Sequence, residues 1–194
     1  MNHFITANRA ARGAAVEHSL RVYASSADFC AIFDQDMDSL YSLSLLLTGN
    51  HGRAQAAFLK ALHDCRTGST VFPEWARSWS RRAVIKNAIG LLEPELRNLA
   101  DVPAESDAMA SHVHPDARAV LELGLFERFV FVISALEGYA IRECAALLGC
   151  SPREVQQGQV RALQEIGTVG RIRRDLLQSP YTDRGPIHPV APLP

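Results

Sequence analysis

Cysteine is scarce in this chain, and none of it is paired by spacing. Cys30, Cys65, Cys144 and Cys150 include no C-x-x-C pair, which removes zinc ribbons and fingers, whose ligands come in closely spaced pairs. Reduced, packed thiols are the simpler reading of all four, with a redox pair of Cys144 and Cys150 as the alternative. His63, His112 and His114 have no third or fourth ligand beside them, so no metal site is expected. Positive charge is not in excess either. With 20 Lys and Arg against 21 Asp and Glu, the net charge of −1 excludes a protein that coats nucleic acid by bulk electrostatics. Any such contact must come from local patches. No apolar run approaches a membrane span and the first residues carry no apolar signal core, so a cytoplasmic chain without membrane association is expected. Catalytic signatures are missing too: there is no Ser/His/Asp order, phosphate loop or pair of carboxylates in a cleft-like setting. Asp34, Asp36 and Asp38 have the spacing of a calcium loop without its glycine or final glutamate, and they lie inside a helical pattern. Neither an enzyme nor a bound cofactor is expected.

What is present is helix. In 194 residues, 47% of them hydrophobic, there is apolar mass for one large or two small cores, and the period of those residues is close to 3.6. A helix capped by Ser26 is predicted from Phe29, Ile32, Phe33, Met37, Leu40, Tyr41, Ser44 and Leu47, ending at Thr48-Gly49-Asn50. A second places Ala54, Ala57, Phe58, Ala61 and Leu62 on one face. Pro73 opens a third, in which Trp75, Trp79 and Ala83 are successive i, i+4 neighbours and Arg77, Arg81, Arg82 and Lys86 are interleaved with them. Aromatics among cations suit a nucleic-acid strand, whose bases stack while its phosphates take the charge; a merely solvated basic helix is the alternative. From Glu93 to Pro115 periodicity is lost and a linker is expected, with a short helical turn around Pro94 to Leu99. Beyond it Leu121, Leu125, Phe129, Val132, Ile133 and Leu136 form another helical face.

The stretch from Leu136 to Leu163 is the most informative. Ile141, Ala145 and Leu148 recur at helical spacing, and Gly149 suits a left-handed C-terminal cap. The chain then restarts at once. Ser151 is a good N-cap, Pro152 fits the first helical position, and Glu154 completes a capping box. A stop and restart so close together is the local mark of a helix-turn-helix, whose second helix enters the major groove in DNA-binding modules. An ordinary helical corner is the alternative. The second helix is expected to end near Gly167 and Gly170, followed by a short basic helix with Arg171, Arg173 and Arg174.

In this order the pieces resemble the two-domain sigma factors of the extracytoplasmic-function group in the sigma-70 family, over roughly residues 27 to 92 and 118 to 166. The motif carrying most of the likeness is LEGYAIRECAALLGCSPREV, with Arg161, Ala162 and Leu163 beyond it. The resemblance implies an all-α fold of two small helical domains joined by an irregular linker. Their expected extents are 26–92 for the first and 116–177 for the second, with an N-terminal extension over 1–25, a linker over 93–115 and a disordered Pro-rich tail over 178–194. It further implies that the segment Leu40 to Asn50 leads into a helix that binds RNA polymerase. The Trp-bearing helix would melt and read the −10 promoter element through Trp79, Arg81, Arg82, Lys86 and Asn87. The recognition helix would read the −35 element through Arg153, Gln156, Gln157 and Arg161, where Gln suits adenine and Arg suits guanine or phosphate.

The chain departs from the family at two places. Val155-Gln156-Gln157-Gly158 stands where a Val-Lys-Ser-Arg run is usual, removing two cations and placing Gly158 inside a helix at a cost of about 1 kcal/mol relative to Ala. Arg53-Ala54-Gln55-Ala56 and Leu59-Lys60 stand where carboxylates are usual. Two functions follow as expectations. One is a sigma-like transcription initiation regulator whose partners are the RNA polymerase core and promoter DNA. The other is a degenerate sigma-like protein-interaction module, with an anti-sigma factor as its partner.

Overall fold

Ser25, not Ser26, starts the first helix of the computed structural model. Its backbone is extended (φ −89°, ψ 166°), its hydroxyl accepts from the Asp28 amide at 3.3 Å, and the Asp28 carboxylate accepts from the Ser25 amide at 2.7 Å. That reciprocal pair satisfies two of the donors a helix start leaves open. Described are residues 22–68, 70–97 and 115–178. The N-terminal extension up to residue 21, linker residues 98–114 and the tail from 179 lie outside them.

The helices are α1 (Ser26–Gln35), α2 (Met37–Thr48), α3 (His51–Gly68), a 3-10 turn (Pro73–Trp75), α4 (Ala76–Arg97), α5 (Pro115–Leu121), α6 (Leu125–Phe131), a π-turn (Val132–Leu136), α7 (Ile141–Leu148) and α8 (Pro152–Gln178). The described residues are all-α. Further boundaries differ from the sequence expectation. The apolar period from Phe29 to Leu47 is continuous, yet the chain bends at Asp36 (φ −104°, ψ 18°), which resets the helical phase and leaves Met37 exposed. Gly124 separates α5 from α6, and the π-turn shifts Leu136 out to solvent. Helix α4 continues through Pro94 to Arg97, so the turn expected at the start of the linker is the end of α4 itself. Gly167 and Gly170 do not interrupt α8, which runs on to Gln178. In a helix this long each glycine weakens propensity by only about 1 kcal/mol, which the neighbouring turns can absorb.

Helices α1 to α4 close around Phe29, Leu40, Leu47, Ile85 and Leu92, and α6 to α8 close around Phe129, Val132, Ile133, Val155 and Ala162. Each large side chain so buried contributes about 1.5–3 kcal/mol. The two groups join in one continuous apolar cluster. Helix α2 packs against α5, α6 and the π-turn, and α4 packs against α6.

Candidate nucleic-acid interface

The turn between α7 and α8 is built by local rules. Gly149 adopts φ 66°, ending α7 with its amide on the Ala145 carbonyl. Two residues on, the Ser151 amide and hydroxyl both donate to Glu154 Oε2 at 2.7 Å, while the Glu154 amide donates to Ser151 Oγ at 3.3 Å. Accepting those bonds holds the Glu154 carboxyl below its ordinary pKa. At the start of α7 the Glu143 carboxylate accepts from the Ala140 amide at 3.1 Å, so both helices of the motif begin on an acidic third residue.

With Val155 and Ala162 buried, α8 turns Arg153, Gln156 and Gln157 to solvent. Arg161 also reaches the surface, but its Nε donates to Glu127 of α6 at 2.7 Å. Gly158 faces the other way. A Cβ there would meet Phe126 Cε1 at 2.9 Å and Val130 Cγ2 at 3.2 Å, so this glycine is where α8 rides closely over α6. The reading of position 158 as a lost DNA-facing cation is therefore corrected: the position lies in the core, and no long side chain fits it. The outward face instead carries two exposed apolar groups, Val160 (55% exposed), absent from the sequence expectation, and Leu163 (60%), which entered it only through the family likeness.

The Trp-bearing helix is arranged differently. Trp75 and Trp79 are exposed, and Trp75 continues a ladder of rings through Phe72 (centroids 5.6 Å apart) to Tyr23 (5.4 Å). Tyr23 and Phe72 lie outside the helix and carry no periodic signal, so sequence alone did not connect them to it. Lys86 is exposed, whereas Asn87 is buried, its amide donating to Asp64 Oδ2 at 2.9 Å and to the Ala83 carbonyl at 3.0 Å. Asn87 thus ties α4 to α3 and does not sit on the outer face with the tryptophans. Arg77 pairs with Asp36.

Arg81 and Arg82 point into the junction with the second half. Arg81 Nε donates to Glu137 Oε2 at 2.6 Å, its Nη2 to Glu137 Oε1, and its Nη1 to Ser39 Oγ at 2.8 Å. The fork is bidentate, and donating to the Glu137 carboxylate raises the Arg81 pKa above its ordinary value. Arg82 lies over the Tyr139 ring, 5.8 Å from its centroid. A third cation sits deeper in the junction. Arg128 is 3% exposed, donates to the Leu121 carbonyl at 3.3 Å, and rests against Gly49, the left-handed residue (φ 69°) that ends α2. Burial, then the nearby Arg53, push its pKa down to about 10, with Glu95 opposing. It stays charged at neutral pH, facing the negative end of the α2 dipole. Its Nε is buried with no hydrogen-bond partner. Arg53 itself forks onto Glu95 at 2.9 and 3.0 Å, so the basic group that replaces the expected carboxylates is neutralised within the chain.

Between α4 and the turn of the helix-turn-helix lies a groove of about 590 Å³. Ile89 and Leu96 form one wall, Leu147, Cys150, Gln157 and Arg161 the other. Among the described residues no group of three or more His, Cys, Asp or Glu is placed to hold a metal ion, and no helix is long and apolar enough to cross a membrane.

No family model and no curated protein matches the sequence. Among solved structures, the chain is similar to the sigma factor RpoE of Bartonella quintana, in its co-crystal structure with the anti-sigma factor NepR. The identity is 17%, covering 75% of this chain and 98% of that one, with a TM-score of 0.43.

Proposed function

We propose that this chain is a cytoplasmic, sigma-like regulator of transcription initiation that binds promoter DNA together with the RNA polymerase core. The observation that carries this reading is the α7–α8 turn: a left-handed Gly149 and a Ser151–Glu154 capping box launch a helix whose solvent face holds Arg153, Gln156 and Gln157. Such a helix can enter a major groove, with Arg and Gln meeting base edges or phosphates. The exposed Tyr23–Phe72–Trp75 ladder, with Trp79 one turn and exposed Lys86 about three turns along α4, supports a second contact, with stacked bases of an opened strand. No covalent chemistry is required of the protein, which acts by positioning.

The test joins polymerase pull-down and run-off transcription to a DNA shift assay at low salt. Polymerase association and salt-sensitive DNA binding are expected, with Arg153→Ala weakening binding by about 1–3 kcal/mol if it reads a base, or reducing the salt slope by about one if it holds a phosphate. No association and no salt-sensitive binding would refute the reading.

A second reading is favoured by Val160 and Leu163 on the outward face of α8. Exposed apolar groups there, with Arg161 already paired to Glu127, suit a protein partner such as an anti-sigma factor. Under that reading Val160→Ser abolishes partner capture while Arg153→Ala leaves it intact.

A further inference from the structure

We propose that Glu137 and Tyr139 form a latch that closes the molecule over its own nucleic-acid-binding cations, so that closure and binding of a phosphate backbone compete for Arg81 and Arg82. The inference rests on the reading above, because it concerns what regulates that same surface.

Both partners of the latch stand at the entrance to the helix-turn-helix, just past the π-turn. Glu137 is nearly sealed, its side chain 8% exposed, while that of Arg81 is 36% exposed. The carboxylate offers two oxygens in the fork geometry a phosphate would offer, so it occupies the guanidinium as a phosphate would. Arg82 lies over the Tyr139 ring one residue further along the helix. These two cations of α4 are therefore both engaged by the second half.

The same closure affects the other nucleic-acid face. Gln157 and Arg161 line a groove whose opposite wall is α4, through Ile89, Glu93 and Leu96. Its volume of about 590 Å³ suits a few side chains and is far too small for a duplex. The Gln157 and Arg161 side chains are both exposed, and α4 borders the approach to them on one side. One hinge movement would thus free Arg81 and Arg82 and widen the approach to α8. Glu137 is well suited to control it because it links the halves without belonging to either expected DNA-reading set.

Arg128 and Gly49 form a second contact across the same junction, and it is built differently. A guanidinium 3% exposed with an unpartnered Nε is held by packing, not by a matched anion. It offers nothing a polyanion could compete for. The exchangeable element is the Arg81–Glu137 pair.

The full chain carrying Cys150→Ser and Arg142→Cys can be labelled with a dye pair on Cys30 and position 142, since Cys65 and Cys144 are buried. Energy transfer reports the distance between the halves, and anisotropy of a fluorescent DNA with an unpaired central bubble reports binding. Glu137→Gln keeps the shape and removes the charge. It is expected to lengthen the distance without DNA and to tighten DNA binding about fivefold, as the competent population grows, with a steeper salt dependence. Arg81→Gln, on the other side of the pair, is expected to lengthen the distance equally, which keeps the proposal testable if the Glu137 variant does not fold. An unchanged distance in both variants, or tighter binding with no opening, overturns the latch. A longer distance in variants that bind DNA no better than background supports the latch and refutes the DNA-binding reading instead.

Discussion

Helices α4 and α8 are both expected to meet nucleic acid, and they present their polar groups in opposite ways. On α8 the groups nearest the turn, Arg153, Gln156 and Gln157, face solvent, and Arg161 further along is tied within its own half to Glu127. On α4 Arg81 and Arg82 are spent across the junction and Asn87 is buried against α3, leaving Lys86 and the tryptophans outermost. The difference teaches that a cation in a helical pattern is not yet a cation available to a ligand. Its range is set by carboxylates and rings brought alongside from distant sequence.

The strongest way to break the comparison is at Gly158, where α8 depends on contact with α6. Gly158→Leu places atoms where Phe126 and Val130 already stand and is expected to cost about 3 kcal/mol, read as a loss in denaturant midpoint. A variant as stable as the parent would show that α8 does not ride on α6 as described.

A crossed pair of variants sharpens the contrast at smaller cost. Asn87→Ala removes a buried hydrogen-bonded amide and should lower stability by about 1 kcal/mol while leaving DNA affinity unchanged. Gln156→Ala should do the reverse. If Asn87→Ala weakens DNA binding at unchanged stability, α4 presents a face other than the one described.

The smallest effect is on pH dependence. Burial pushes the Cys65 thiol up to about 11 and the Cys144 thiol up to about 12, so both hold their protons in the folded state at pH values where the unfolded chain releases them. Their contribution is complete below the ordinary thiol value near 9 and is lost as pH rises towards 11 to 12. Cys65 sits on the buried face of α3, beside Ser80 of α4, and Cys144 on the buried face of α7, so Cys65→Ala and Cys144→Ala compare the halves by how far each flattens the alkaline decline. At pH 8 an alkylating reagent should modify exposed Cys30 well before either; equal rates would contradict their burial.

Features that depend on three or four adjacent residues were legible in the sequence. The Gly149 cap, the Ser151–Glu154 box and the inward Val155 and Ala162 follow from backbone donors and helical period alone. The bend at Asp36 was not, because the apolar period runs through it unbroken and only packing of α1 and α2 on α4 fixes the phase. The use of Gly158 was hidden for a similar reason. In sequence it is a weak helix former, and only the approach of Phe126 shows that a larger residue would not fit. Arg81 and Glu137 lie in different helical groups, and no spacing rule links them.

Gly49 closes one helix by turning left-handed, and Arg128 from the other half lies so close that an added Cβ would come within 2.8 Å of its Nη1. A substitution at 49 thus meets two objections, one from its own backbone and one from a distant guanidinium. Shortening residue 128 lifts only the second. In a library of variants the two positions should behave as one locus, with larger residues tolerated at 49 only beside a smaller one at 128, and Asn, which accepts the left-handed region, the first to appear.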